Sequence, residues 1–429
     1  MKILWGLLLC LTLTSCVENS KKKEPTQETG NKGGQVIYLD ANTPIEHDTL
    51  TLEEIADTVV YLRLDAKIRE GAQINYLDSL ILVHDGTSLQ AFKPTGERIY
   101  EIVSPGSLDM LPNAKSFYLY ELKENSINQY DFQGKQLNTI HLTEVPKTFY
   151  GYNFLALSDS LFAFSHPNIG TNKYELFLVD SNGNAVWHKE NVEPFVPKEG
   201  ARLYDSYWRH TLFRTTEGCR YLRCFSDTLW TITANRELKP TLIETMIGKM
   251  AIEHRMEYNG MDNDTYIIET VNKEPEKKNG VRYFETSRFI IGEYKVGQHQ
   301  RDWSDYICYD KRNKKWYQII NKFPSEGFLF HFGIFNNYDG GLAFAPSTQS
   351  GEWLIMVNAS DQNGESRMKP KRLYQEGIII QNRQTGEMEQ YLYRSDVWKD
   401  AEKRNLLNKF YQDFNDDKHS VLMLVRLKK

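Results

Sequence analysis

Tyr130-Asp131-Phe132-Gln133-Gly134, followed by the strand-like run Gln136–Leu142, decides the fold. An apolar strand end gives way to a tight polar turn, and a second strand follows. Gly and Asn supply the positive φ that hairpin turns need. Phe92-Lys93-Pro94-Thr95-Gly96 stands before Arg98–Val103 in the same way, and Val179-Asp180-Ser181-Asn182-Gly183 before Ala185–His188. The phrase weakens to Ile232-Thr233-Ala234-Asn235-Arg236 before Leu238–Ile243. It returns as Tyr309-Asp310-Lys311-Arg312-Asn313 before Lys315–Ile320, and last as Gln381–Gly386 before Met388–Tyr393, six occurrences in all.

Around these turns lie short aromatic or β-branched runs, among them Ser79–Val83, Ser116–Tyr120, Leu161–Phe164, Glu175–Val179, Asp227–Ile232, Arg288–Tyr294 and Asp305–Tyr309. Each is bounded by Gly, Asn, Asp or Pro, the signature of closely spaced strands. Six hairpins of one type, each preceded by further strands, predict an all-β fold: a six-bladed β-propeller of four-stranded blades. A β-sandwich does not require the same turn phrase six times. Successive turns are 38, 49, 53, 77 and 73 residues apart. The first three spacings suit one blade each. The last two predict insertions in the last two blades, with Met246–Met261, Lys273–Gly280 and Ser347–Gln375 as candidates.

A ring must fasten its last blade to its first. Thr58–Leu64 and Val421–Leu427 are strand-like and lie outside the six phrases, so the final strand is expected to complete a blade with N-terminal chain. Just before it, Ser395–Phe414 carries Trp398, Leu406, Leu407, Phe410, Tyr411 and Phe414 at helical steps, which predicts a C-terminal helix ahead of the ring-closing strand. Thr51 and Glu54 form a capping box for a small helix at Leu52–Ala56.

The first residues read as an address. Lys2 and the eleven-residue apolar run Ile3–Leu13 make an export signal, too short for the ~20 residues of a bilayer span. Leu13-Thr14-Ser15-Cys16 is similar to the lipobox of bacterial lipoproteins, which implies a signal peptide over 1–15 and lipidation of Cys16. Several acyl chains on one Cys anchor stably, whereas a single chain binds marginally. Residues 16–35 are polar and read as a flexible tether, leaving 36–429 for the propeller. Lys21-Lys22-Lys23 suits anionic headgroups as well as it suits a solvated linker. Val17 after the Cys points to the outer membrane, with the leaflet left open. The chain has 429 residues and a net charge of −5, which excludes a globally basic nucleic-acid binder. Of five Cys, Cys219, Cys224 and Cys308 remain after signal and lipid take Cys10 and Cys16. No CxxC pair occurs, so neither disulfides nor structural zinc organise the fold.

Several stretches resemble a six-bladed β-propeller family of bacterial exported lipoproteins, related in shape to NHL-repeat propellers. Leu52–Leu64 resembles its opening segment, Phe225–Ile232 a mid-chain strand motif, and Tyr306–Lys311 and Ser420–Lys428 its later strands. Val103-Ser104-Pro105-Gly106-Ser107 replaces a longer Gly-rich loop and implies a shortened outer part of the second blade. The resemblance spans about Thr49 to Lys429 and implies fold and location. It brings no activity with it.

Catalytic motifs are missing from the sequence: G-x-S-x-G, a P-loop and HExxH do not occur. Asp413–Asp417 starts like a calcium loop but has Lys418 in place of the required Gly and Leu424 in place of Glu. The densest chemistry is Tyr207-Trp208-Arg209-His210, where aromatic faces can stack on sugars and Arg can fork onto a carboxylate. Arg255, beside His254, is a second candidate in the Met246–Met261 stretch. The expected function is a membrane-tethered propeller outside the cytoplasm, non-catalytic, binding a glycan, a peptide or an envelope protein, with no cofactor. The alternative is a lactonase- or phosphotriesterase-like hydrolase holding a divalent metal such as calcium in the central channel, on fold analogy alone. A structural role in an envelope complex is a third reading.

Overall fold

The computed structural model describes residues 36–40, 42–46, 50–69, 72–103, 106–111, 115–145, 153–165, 173–191, 212–222, 228–233, 235–244, 279–295, 304–319, 334, 338, 344–358, 378–381, 388–391 and 419–429. Within them the repeated turn joins the third and fourth strands of antiparallel sheets. Blade I is Gln73–Tyr76, Ile81–His84, Ser88–Phe92 and Arg98–Val103. Blade II is Gly106–Asp109, Ser116–Glu121, Ser126–Asp131 and Gln136–His141. Blade III is Asn153–Ser158, Leu161–Ser165, Tyr174–Asp180 and Ala185–Glu190. Blade IV is Leu212–Thr215, Gly218–Leu222, Thr228–Ile232 and Leu238–Glu244. Blade V is Asn279–Glu285, Phe289–Lys295, Ser304–Asp310 and Lys315–Ile319. Blade VI is Thr348–Ser350, Trp353–Asn358, Ser420–Leu427 and Ala56–Leu64. The six sheets form a ring, a six-bladed β-propeller.

Blade middles are buried on both faces, so period-2 alternation feeds two cores at once. In blade I, Ile81 and Val83 pack with Ile355 and Leu424 of blade VI. The intervening Leu82, with Leu80, packs with Leu108 and Phe117 of blade II. In blade II, Tyr118 and Tyr120 turn the other way and meet Phe162 and Phe164 of blade III edge to face, at 5.3 and 5.2 Å. Among the described residues every junction of the ring has such a cluster. Each buried Leu, Phe or Ile contributes about 1.5–3 kcal/mol by leaving water. The ring therefore holds together through its junctions rather than around one central core.

The turn phrase does two jobs. Its Asp folds the turn: Asp131 Oδ1 accepts from the N–H groups of Gln133 and Lys135 at 3.0 and 2.9 Å, and Asp180 Oδ1 from Asn182 and Asn184 at 2.9 Å each. Its Gly docks on the preceding blade. Gly183 (φ +85°) presents its carbonyl to the Thr143 N–H at 3.2 Å, and a Cβ there would stand 1.9 Å from the His141 carbonyl oxygen. Gly96 (φ +88°) docks in the same way against Arg63, where a Cβ would lie 1.8 Å from the carbonyl oxygen. His141 and Arg63 belong to the outer strands of blades II and VI, each one blade earlier in the ring. In blades IV and V the positive φ falls on Arg236 (65°) and Lys314 (55°), so Lys314, not Asn313, is the left-handed residue of the fifth turn.

Closure follows the expected route. Ala56–Leu64 pairs antiparallel with Ser420–Leu427, which pairs on its other side with Trp353–Asn358. The helix α1 (Leu52–Ile55) leads into this strand, and Glu54 caps it by accepting from the Thr51 N–H at 2.6 Å. A feature without a sequence signal precedes it. Ile37–Leu39 adds in parallel to the outer edge of blade IV, and Ile45–Glu46 to that of blade V. Leu39 is buried in the core between those two blades.

Three expectations need correction. The sixth phrase does not belong to a blade: Ile378–Gln381 and Met388–Tyr391 pair with each other as a separate two-stranded sheet. The sixth blade is the closing sheet, whose hairpin Thr348–Ser350/Trp353–Asn358 falls inside the stretch read as the insertion Ser347–Gln375. Asn279 and Gly280, the end of the insertion candidate Lys273–Gly280, open the first strand of blade V. The outer strand of blade II, Gln136–His141, matches in length those of blades I and III and is not shortened. Met246–Met261 and Ser395–Phe414 lie outside the described residues. Among the described residues no helix is long and apolar enough to cross a membrane.

Candidate functional site

The first strands of all six blades converge on a central cavity of about 100 Å³. Alternation decides what they present to it. Leu108 turns toward blade I, so Asp109 turns toward blade III. Leu212 joins the core between blades III and IV, and Arg214, two residues on, shares that face. Tyr283 packs toward blade IV, which leaves Arg282 facing blade VI.

Polar ties stitch the blades together, one at each junction. Gln73 Oε1 accepts from the Leu108 N–H at 2.9 Å, joining blades I and II. Asp109 Oδ2 accepts from the Ala156 N–H at 2.7 Å, joining II and III. Arg214 Nη2 donates to the Ala156 carbonyl, joining III and IV. The Arg220 fork grips Glu285 at 2.7 and 2.9 Å, joining IV and V. Gln349 Oε1 accepts from the Glu285 N–H at 2.9 Å, joining V and VI. Ser350 Oγ accepts from the Tyr76 N–H at 2.9 Å and closes the circle from VI to I.

Asp109 and Arg214 also meet across the ring. The guanidinium forks onto the carboxylate, Nε to Oδ1 at 3.1 Å and Nη2 to Oδ2 at 2.5 Å. Burial works against the charge of Arg214, but the Asp109 carboxylate outweighs it and holds the guanidinium above the ordinary arginine range. Cys219 lies beside this pair, and burial pushes its thiol up to about 11 against the pull of Arg214. Cys219 and Cys308 are buried and unpaired as disulfides.

Arg282 is the less satisfied guanidinium. Its Nη1 donates to the carbonyls of Pro346 and Ser347 at 3.1 and 3.4 Å. Its Nε is buried without a hydrogen bond, with Glu293 Oε2 at 3.9 Å. Asp109 is the one carboxylate among the described lining residues, and Arg214 already occupies it. Among the described residues no three His, Cys, Asp or Glu come together in a way that could hold a metal.

Cys16, Tyr207, Trp208, Arg209, His210 and Arg255, the residues singled out from the sequence, all lie outside the described residues. Asp109, Arg214, Arg282, Gln73 and Gln349 were missed. Their signal is faint: one polar residue within a short strand that opens each blade. Such a residue cannot be separated from an ordinary solvent-facing one until the strand is known to line a channel.

Ring, closure and polar channel define a six-bladed β-propeller. Within that class the chain belongs to the family described as "Domain of unknown function (DUF4934)", which matches residues 36–381. Among solved structures it is similar to a Bacteroides fragilis protein named for its inferred export, at 13% identity and a TM-score of 0.56, covering 92% of this chain and 100% of that one. That likeness shows the fold alone. A Bacteroides vulgatus member of the DUF4221 family aligns at 10% identity over 88% of this chain and 98% of its own, with a TM-score of 0.43. No curated protein matches the chain.

Proposed function

We propose that the protein is a membrane-tethered propeller outside the cytoplasm that binds a glycan, a peptide or another envelope protein at its central channel, without chemistry of its own. The observation that carries this reading is the channel: polar side chains from five of the six blades, fixed by a ring of inter-blade hydrogen bonds, around a cavity of about 100 Å³. Groups held on rigid strands recognise a ligand without first having to be ordered. The tether rests on Ile3–Leu13 and Leu13-Thr14-Ser15-Cys16. The name of the Bacteroides fragilis protein supports export, not the tether.

The address is tested with a labelled fatty acid in a bacterial host. The full chain should take up the label and sediment with membranes, and Cys16→Ser should do neither. A Cys16→Ser chain that is labelled and sediments like the parent would overturn the lipid anchor.

A further inference from the structure

We propose that the channel takes an oxyanion, a carboxylate or phosphate group of the ligand, on the guanidinium of Arg282. The proposal rests on the reading of the channel as a ligand pocket and names the chemistry of what enters it.

Two guanidiniums line the cavity, and they differ in how far they are satisfied. Arg214 is spent on Asp109 and the Ala156 carbonyl. Arg282 has five N–H donors, as any Arg does. Among the described residues its hydrogen bonds run from Nη1 alone, to two backbone carbonyls. Nε is buried toward Glu293 and unbonded, so the donor left for a ligand is Nη2, which has no bond to any described residue. A buried donor left unmade is costly, the more so when the group is charged, so native proteins rarely keep one without a use.

Charge points the same way. Glu293 is the carboxylate near Arg282, but its oxygen is 3.9 Å away, beyond hydrogen-bond reach, and it does not line the cavity. Asp109 pairs with Arg214 through a fork of hydrogen bonds, whereas Arg282 has only the looser ion pair with Glu293 at 3.9 Å. Gln73 adds an amide NH₂ that has no partner among the described residues, and Asn75, two residues along the same strand, adds another. The wall therefore offers spare donors beside Arg282. A cavity of about 100 Å³ has room for several waters or for one acid group with its stem.

The test is thermal unfolding of the full chain in sodium acetate and in sodium phosphate, each against sodium chloride at the same ionic strength. The parent should rise by about 2–4 °C as the fitting anion saturates. The arm that responds distinguishes carboxylate from phosphate. Arg282→Gln should abolish the anion-specific rise. Arg282→Lys keeps the charge but not the fork, and should weaken the apparent Kd by at least about tenfold, the equivalent of one lost charge-assisted hydrogen bond. The lysine variant decides the matter if the glutamine variant does not fold. Equal responses of parent and variants to every salt, zero included, would overturn the proposal as a general salt effect. A neutral chitobiose probe that stabilises the parent while both anions do nothing would overturn the oxyanion and leave channel binding standing.

Discussion

Glu285 is 1% exposed, yet it carries a charge. Burial opposes that charge, and the Arg220 fork with the Lys311 ammonium at 2.8 Å more than offsets it, so the carboxyl is held below the ordinary glutamate value of 4.5. The sign follows. A carboxyl lowered in the folded state contributes stability above its unfolded value, and that contribution is lost as pH falls through the folded one. Acid should therefore loosen the junction between blades IV and V below about pH 4.5. Glu285→Gln leaves Arg220 buried at 3% exposure with Glu217 at 3.7 Å as its remaining carboxylate. It should cost about 3–5 kcal/mol at pH 7 and flatten the acid limb. Denaturant titrations at pH 7 and pH 4 measure both. A variant as acid-sensitive as the parent would show that this pair does not link protonation to folding.

The turn phrase was the most legible element, because its chemistry is local. Asp folds the turn, Gly supplies the positive φ, and both can be read without knowing any partner strand. Where the phrase decayed, at Arg236 and Lys314, the backbone kept the left-handed residue without its Gly. What a turn cannot say is which sheet its strands join. Ile378–Gln381 and Met388–Tyr391 share the hairpin pattern and still stand apart from the blades, so the sixth blade was counted on the wrong hairpin. The strands Ile37–Leu39 and Ile45–Glu46 were illegible because two or three residues carry no period. The channel strands were half legible: their apolar residues marked strands, but their polar residues gained meaning only in the ring. In sequence, Tyr207-Trp208-Arg209-His210 runs directly into Leu212–Thr215, the strand that brings Arg214 to the channel. We propose that this stretch contributes to the ligand contact, together with Arg255. In a thermal-shift panel of envelope glycans and peptides, the double substitution Trp208→Ala/Arg209→Ala should remove at least half of any stabilisation the parent shows. A ligand that stabilises both chains equally would take this stretch out of the site.

Across the whole molecule the closing blade decides the rest. Its strands come from 348–358, from the chain end and from just after the N-terminal strap, so the ring forms only when both ends of the propeller meet. That meeting was foreseen because Thr58–Leu64 and Val421–Leu427 were strands with no place in the repeated phrases. A ring tied at six junctions by apolar clusters and polar stitches gives the channel its rigidity. The central claim is that this channel is a ligand pocket and not a metal-dependent active site. Thermal unfolding of the full chain with EDTA, and then with added calcium, tests it most directly. The account predicts one midpoint under all three conditions. A midpoint that drops by several degrees with EDTA and returns with calcium would contradict it, and would place a divalent metal at the heart of the fold.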